Sequence, residues 1–290
     1  DFLIIGAQKS GTTWLWRMLA QHPGTDLRLH KELFFFNHAA AYARGLPHYL
    51  AHFAPLDPAR VTGEATATYF YDYLLDDERR PVHSLPTIPE LVMAALPAVK
   101  ILLVVRDPVR RALSAYRHHM RRRRYPPTTS LRAAMERYPH LRIRELGEYL
   151  PYLRLWQAHV PPEQFRVFLF ESDLRARPAW MMGQVYRCLG LDPTFQPVLP
   201  DRQPNAGWGW AHIRLQHRLG PWYGTFYSRA RRTPLAPLLD RLSWGEPPAL
   251  PASTIRQLGA HYARQRPEIE ARLGRDLPWD YGQSLLAEKR

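Results

Sequence analysis

The first half of the chain alternates short apolar runs with longer amphipathic stretches. Phe2–Ile5 predicts a strand, followed by a polar loop and a helix over Thr12–Gln21 that stops near His22-Pro23-Gly24. A second apolar run centres on Leu33–Phe36. Ile101–Val105 is wholly apolar, the pattern of a parallel strand buried on both faces. Behind it, Val109–Arg123 predicts a helix of about four turns. Arg166–Phe170 predicts the next strand and Ala179–Gly190 the helix that follows. Strands alternating with helices predict an α/β fold of three layers, with a central parallel sheet between helices.

The pattern changes after Leu191. Proline, tryptophan and arginine become frequent from Asp192 to about Pro251, which predicts an irregular, partly helical segment lying over the sheet. A last amphipathic helix is expected over Ser253–Leu273, with Ser253 as N-cap and Gly274 just past its end. No repeat or low-complexity linker divides the 290 residues, so a single domain over residues 1–290 is expected.

Composition narrows the function classes. A net charge of +14 favours an anionic partner, whether nucleic acid, an acidic lipid surface or an anionic substrate. No run reaches the ~18 consecutive apolar residues of a membrane span. The single cysteine, Cys188, excludes an intrachain disulfide, and no signal peptide is visible. Both point to a reducing, cytoplasmic setting, with peripheral contact to anionic surfaces open. Lysine occurs only at Lys9, Lys31, Lys100 and Lys289. That bias toward arginine suits a bacterial, GC-rich genome and makes Lys9 and Lys31 conspicuous.

The candidate chemistry begins with GAQKSGTTWL, residues 6–15, in the strand–loop–helix order of a phosphate-binding loop. Gly6 and Gly11 have the separation found in nucleotide triphosphatases, but Thr12 stands where their lysine would be, and Lys9 lies inside the loop. The amides of Ser10, Gly11, Thr12 and Thr13, at a helix N-terminus, are expected to face an anion. This stretch resembles the 5′-phosphosulfate loop of sulfotransferases that use 3′-phosphoadenosine 5′-phosphosulfate (PAPS). The resemblance implies that Lys9 neutralises the oxygen bridging phosphate and sulfate, with Trp14 closing the motif.

A second landmark, RDPVRRALSAY over residues 106–116, puts an arginine at the carboxyl end of a buried strand, where open α/β sheets bind ligands. Its planar fork suits a phosphate. Asp107 is expected to cap the next helix, with Pro108 in its first turn. The stretch resembles the family's 3′-phosphate motif, which implies phosphate-binding roles for Arg106 and Ser114.

In HKELFFFNH (30–38), Glu32 precedes a phenylalanine run, an apolar setting expected to raise its pKa toward proton abstraction. KELFFFN resembles the heparan-sulfate-type branch of the family, which implies Glu32 as general base; His30 and His38 are the reserves. Residues 42–53 resemble that branch's G-x-x-W-Y segment, with His48 in place of the tryptophan. GEATATYF (63–70) departs from the branch: a lysine is expected where Ala65 stands, so either Lys31 supplies that charge or the acceptor geometry differs. Asn205, Gly207 and Trp208 match a late loop that covers the nucleotide, and LGRDLPWD (273–280) looks like a structural closing motif. The Arg121–Arg124 run reads as a solvated helix end.

The resemblance implies transfer of a sulfuryl group from PAPS, without a metal, to a hydroxyl or amine of a carbohydrate, glycolipid or hydroxylated natural product. Two other readings stay open. An ATP-dependent kinase-like transferase would need a metal-holding carboxylate after a strand, for which Asp107 is the contender. A nucleic-acid-binding protein would need basic and aromatic residues on an open sheet face, whereas these strands read as buried, so no nucleic-acid partner is expected.

Overall fold

The computed structural model describes residues 1–27, 31–55, 57–72, 74–75, 81–82, 86–199, 210–230, 233–234 and 250–287. Its centre is a parallel sheet of four strands: β1 (Phe2–Gly6), β2 (Gly63–Ala65), β3 (Lys100–Val105) and β4 (Phe165–Leu169), in the spatial order β2-β1-β3-β4. Phe2 lies beside both Gly63 and Lys100, and Ile101 beside Phe165.

Alternation along these strands divides the core in two. Leu3, Ile5, Ile101, Leu103, Val105, Phe165 and Leu169 face one side. Phe2, Ile4, Leu102, Val104 and Phe168 face the other. The second face is covered by helix α1 (Thr12–Leu19), through Leu15 and Leu19. The first is covered by α2 (Pro108–Arg121), through Val109 and Ala112, and by α3 (Tyr149–His159), through Leu153 and Trp156. Helix α4 (Pro178–Cys188) joins α1 on the second face. With both faces buried, the strands can be apolar throughout, which is why the sequence reads as runs. The expected three-layer α/β fold is therefore present, and no sheet face is left open for bases to stack on.

Two expectations change, the Leu33–Phe36 strand and the single helix over Ser253–Leu273. The Leu33–Phe36 run forms no strand; Phe35 and Phe36 turn inward onto Tyr49 and Tyr69, with ring centroids 4.6 Å (Phe35–Tyr49) and 5.6 Å (Phe36–Tyr69) apart. The strand beside β1 is instead Gly63–Ala65. Of the segment after Leu191, the described parts include α5 (Trp210–Leu219) and α6 (Pro221–Ala230), and the His217 ring lies 2.8 Å from the Met120 carbonyl of α2. The single helix expected over Ser253–Leu273 is two, α7 (Ala252–Ala263) and α8 (Arg266–Leu273), with Pro251 rather than Ser253 at the cap. Pro267 explains the break: lacking an N–H, it sits in the first turn of a new helix. Gly274 ends α8 at φ 62°, as its position predicts.

Asp107 ties this frame to the carboxyl edge of the sheet. Its Oδ1 accepts from Val109 N (2.9 Å) and Arg110 N (3.0 Å), capping α2, while Oδ2 accepts from Tyr281 N (2.8 Å). Removing a buried carboxylate that satisfies three amides should cost about 2–3 kcal/mol. Asp107→Ala is thus expected to lower the urea midpoint by that amount at unchanged slope. A loss under about 0.5 kcal/mol would mean that the cap does not hold α2.

Candidate active site

Strand β1 delivers the loop at Gly6, and the Ala7 amide is tied to Val104 O of β3 at 2.7 Å. The loop then passes twice through the left-handed region, at Lys9 (φ 68°) and Gly11 (φ 96°). Gly11 is required for space as well as conformation, since a Cβ there would lie 2.6 Å from Leu174 Cδ1. One expected donor is lost: Ser10 N–H is spent on the Ala7 carbonyl (3.1 Å). The amides of Thr12 and Thr13 open α1 with no preceding turn to bond to, so they are the donors that face outward. Ser10 and Thr12 are buried, while Thr13 is half-buried and Trp14 packs against the α1 side of the core.

Arg106 leaves the end of β3 and crosses to this loop, its Nη1 donating to Lys9 O at 3.3 Å. Its guanidinium carbon lies 4.4 Å from the Phe170 ring centroid, and Tyr149 Oη donates to the Arg106 carbonyl at 3.0 Å. Arg106 Nε is buried without a hydrogen-bond partner, 3.9 Å from Glu171 Oε1. Glu171 is already engaged, its two oxygens accepting from Asp107 N at 3.2 and 3.3 Å. A guanidinium with an orphaned buried N–H is a donor prepared for an anion.

Ser114 is half-buried on the second turn of α2, and Arg111, Ser114, His118 and Arg121 share one face by their spacing of three and four. That face turns toward Lys9. Burial lowers the Lys9 pKa to about 8, helped by the charges of Arg121, Arg106, Lys31 and Arg111. Burial, then Lys9 and other cations, also pushes His118 down to about 3, so the imidazole is neutral. The arginine run therefore divides. Arg121 is half-buried beside the site, while Arg122, Arg123 and Arg124 are exposed as expected of a helix end. Composition alone could not make that division; the i+7 spacing from Ser114 could.

Glu32 does not have the dehydrated setting expected of it. Its side chain is 35% exposed and its Oε1 lies 3.0 Å from Lys31 Nζ. Lys31 pairs with Ala65 in a single parallel bridge, and Glu32 N donates to Ala65 O at 2.8 Å, so the segment lies along the β2 edge. The carboxylate with the apolar surroundings is Glu64, fully buried on β2. Burial pushes it up to about 7, against the opposing pull of the Thr66, Tyr49 and Tyr69 hydroxyls. Sequence reasoning missed it because a glutamate beside a short strand gives no sign of which way it points. His38 precedes the short helix Ala39–Tyr42. His30, Asn205, Gly207 and Trp208 lie outside the described residues.

The geometry thus gathers two sets of cationic and N–H donor groups at the ends of β1 and β3 and a carboxylate at the β2 edge. The profile described as "Sulfotransferase family" matches residues 1–197. The chain belongs to the sulfotransferase family. It is 30% identical over 213 residues to human bifunctional heparan sulfate N-deacetylase/N-sulfotransferase 3, an alignment covering 67% of this chain and 22% of that protein. Over 288 residues it is 27% identical to mouse heparan sulfate glucosamine 3-O-sulfotransferase 6, covering 96% of this chain and 73% of that one. Membrane-associated sulfotransferase kil1 of Dictyostelium discoideum shares 34% identity over 133 residues, 44% of this chain and 25% of that protein. The chain therefore spans about a fifth of the length of the first of these relatives and a quarter of the third. Its fold is similar to the crystal structure of a sulfotransferase from Alicyclobacillus acidocaldarius, with TM-score 0.66, 24% identity and 96% of each chain covered. No helix among the described residues is long and apolar enough to cross a membrane.

The buried carboxylate gives a pH signature. Because the folded-state pKa of Glu64 lies near 7, above its ordinary 4.5, the proton is held more tightly in the folded chain. Its stabilisation is complete below about pH 4.5 and lost as pH rises through 7. Relative to Glu64→Gln, the wild-type chain should lose roughly 2–3 kcal/mol between pH 5 and 8 in urea unfolding. Parallel pH curves for the two proteins would show that Glu64 is not the titrating group.

Proposed function

We propose that this sulfotransferase-family chain is an enzyme that transfers the sulfuryl group of PAPS to a hydroxyl or amine of a glycan-like acceptor. The observation that carries the reading is the contact between the two anion sites. Arg106, with an orphaned Nε, hydrogen-bonds the carbonyl of Lys9, whose own ammonium is depressed by burial and four neighbouring cations. Such a cluster fits a nucleotide carrying anions at two ends better than a single phosphate.

In this reading the Thr12 and Thr13 amides and Lys9 hold the 5′-phosphosulfate, and Arg106 with Ser114 holds the 3′-phosphate. Gly11 lets the backbone turn close to the ligand, while Ser10 and Trp14 shape the loop from inside. PAPS supplies a sulfuryl group on one bridging oxygen. Lys9 neutralises charge on that oxygen, and Glu32 takes the acceptor proton at its exposed carboxylate. Lys31 takes over the charge that the family resemblance expects at Ala65, since its backbone pairs with Ala65 and its ammonium reaches Glu32. Heparan sulfate in the names of two similar proteins, together with the net charge of +14, favours an anionic glycan acceptor. The kinase alternative loses its contender for a metal-holding carboxylate, because both Asp107 oxygens are engaged by backbone amides.

Calorimetry with adenosine 3′,5′-bisphosphate tests the nucleotide. Tight binding in EDTA, with ATP and Mg²⁺ much weaker, is expected, and the reverse preference would promote the kinase. Arg106→Ala should weaken the bisphosphate about 50-fold while sparing nucleotides without a 3′-phosphate. A bound anion should return Lys9 toward its ordinary 10.5. Binding between about pH 8 and 10 should therefore take up a proton, seen as a dependence of the measured heat on buffer ionisation and absent in Lys9→Met.

Turnover tests the chemistry. Glu32→Gln should lower transfer by about 10²–10⁴-fold with bisphosphate affinity intact. Lys9→Ala should reduce turnover far more than affinity, its gain being made mainly in the transition state. Full activity in Glu32→Gln would move the base elsewhere.

A further inference from the structure

The segment that carries Glu32 is held in a conformation its own residues disfavour. Glu32 (φ 65°) and Phe34 (φ 57°) both occupy the left-handed region, although neither is glycine. Such residues persist only where their surroundings impose them.

The imposing surface is the stretch just past β2. Glu32 N donates to Ala65 O at 2.8 Å and Phe34 N to Thr66 Oγ1 at 3.5 Å. Phe36 N donates to Tyr69 Oη at 3.4 Å, and Asn37 Nδ2 to Thr68 Oγ1 at 2.8 Å. Two of these tethers end on hydroxyls that also meet Glu64. Thr66 Oγ1 donates to Glu64 Oε1 at 2.7 Å, and the Tyr69 hydroxyl faces the same carboxylate.

A hydroxyl has one proton and two lone pairs. With its proton committed to Glu64, the Thr66 hydroxyl turns its lone pairs to the Phe34 amide, and the Tyr69 hydroxyl, beside the same carboxylate, accepts from the Phe36 amide. Glu64 thereby sets the direction of both hydrogen bonds from beneath. Tyr49, Tyr69 and Glu32 are the titratable groups acting on it. Among the described residues no cation pairs with it, and its Oε2 has no hydrogen-bond partner. Burying a carboxylate this way costs stability, so an apolar residue would serve the fold better.

We propose that Glu64 is a positioning residue, which acts through Thr66 and Tyr69 to fix the segment that presents Glu32 to the acceptor. The inference rests on Glu32 being the base, and its test separates the two.

Glu64→Gln and Thr66→Val are made beside Glu32→Gln. Both positioning variants should lower kcat at least tenfold while the Kd for adenosine 3′,5′-bisphosphate stays within twofold. Combined, they should be no worse than the more affected single variant, because they break one relay. In the protein without nucleotide, amide hydrogen exchange over residues 31–37 should accelerate in each. If Glu64→Gln does not fold, Thr66→Val carries the same readouts. Glu32→Gln inactive beside unchanged turnover and exchange in the positioning variants would overturn the inference alone. An active Glu32→Gln would remove the base assignment and the inference with it. Loss of turnover and nucleotide affinity in equal measure would also overturn it, because Glu64 would then be holding the fold as a whole.

Discussion

Like charges gathered around one loop are the constraint on which this structure turns. Arg106, Arg111, Arg121 and Lys31 all act on Lys9 at the carboxyl edge of the sheet. A single pair of unit charges 8 Å apart costs about 2 kcal/mol at an effective dielectric of 20. A cluster of this kind would fly apart on flexible supports. Here most members are fixed by something apolar or covalent: the loop by Gly11 against Leu174, Arg106 by Phe170, and Arg111 and Arg121 by a helix packed into the core. In the proposed function this repulsion is what favours taking up a polyanion. The rigid sheet turns it into affinity rather than disorder.

The same logic sorts the carboxylates. Asp107 and Glu171 lie beside Arg106 yet offer it little, because backbone amides occupy their oxygens. Acids at the edge of an anion site would cancel its field. Binding them to amides keeps their structural use and withdraws much of their charge from the site. Asp173 does the corresponding work farther back. It accepts from Leu169 N at 2.8 Å and Arg275 Nη2 at 2.5 Å, which anchors the closing motif to the end of β4.

How much of this was legible depended on scale. Two-sided burial writes itself as uninterrupted apolar runs, so β1, β3 and β4 could be read to within a residue or two. Strand β2 could not: three residues, Gly-Glu-Ala, carry no periodicity, and its place is set by Gly63, where a Cβ would lie 2.4 Å from Phe2 O. The Leu33–Phe36 run misled because aromatic residues suit both strands and clusters, and only the distant Tyr49 and Tyr69 decide between them. In the site, Lys9 and Arg106 were legible because each sits at a strand end in a motif with fixed spacing. Lys31 stood out by the scarcity of lysine, whereas Glu64 and His118 did not, because their settings follow from which side of an element they face.

The two glutamates show what the sequence leaves undetermined. Glu32 and Glu64 are 32 residues apart and chemically identical, and the apolar neighbourhood expected of the first belongs to the second. The stretches around Tyr49 and Tyr69 were both set apart by resemblance, yet nothing in either predicts that their hydroxyls converge on Glu64. The parallel bridge between Lys31 and Ala65 brings the Glu32 segment alongside the same short strand. In the proposed mechanism the base meets solvent-borne acceptors and has to stay partly exposed, as Glu32 is. An exposed base on an irregular segment is also the group most easily misplaced. On the same proposal a second carboxylate, buried and bound to the Thr66 hydroxyl beneath that segment, supplies the fixed reference that the first lacks. The cost of burying one charge is then the cost of aiming another.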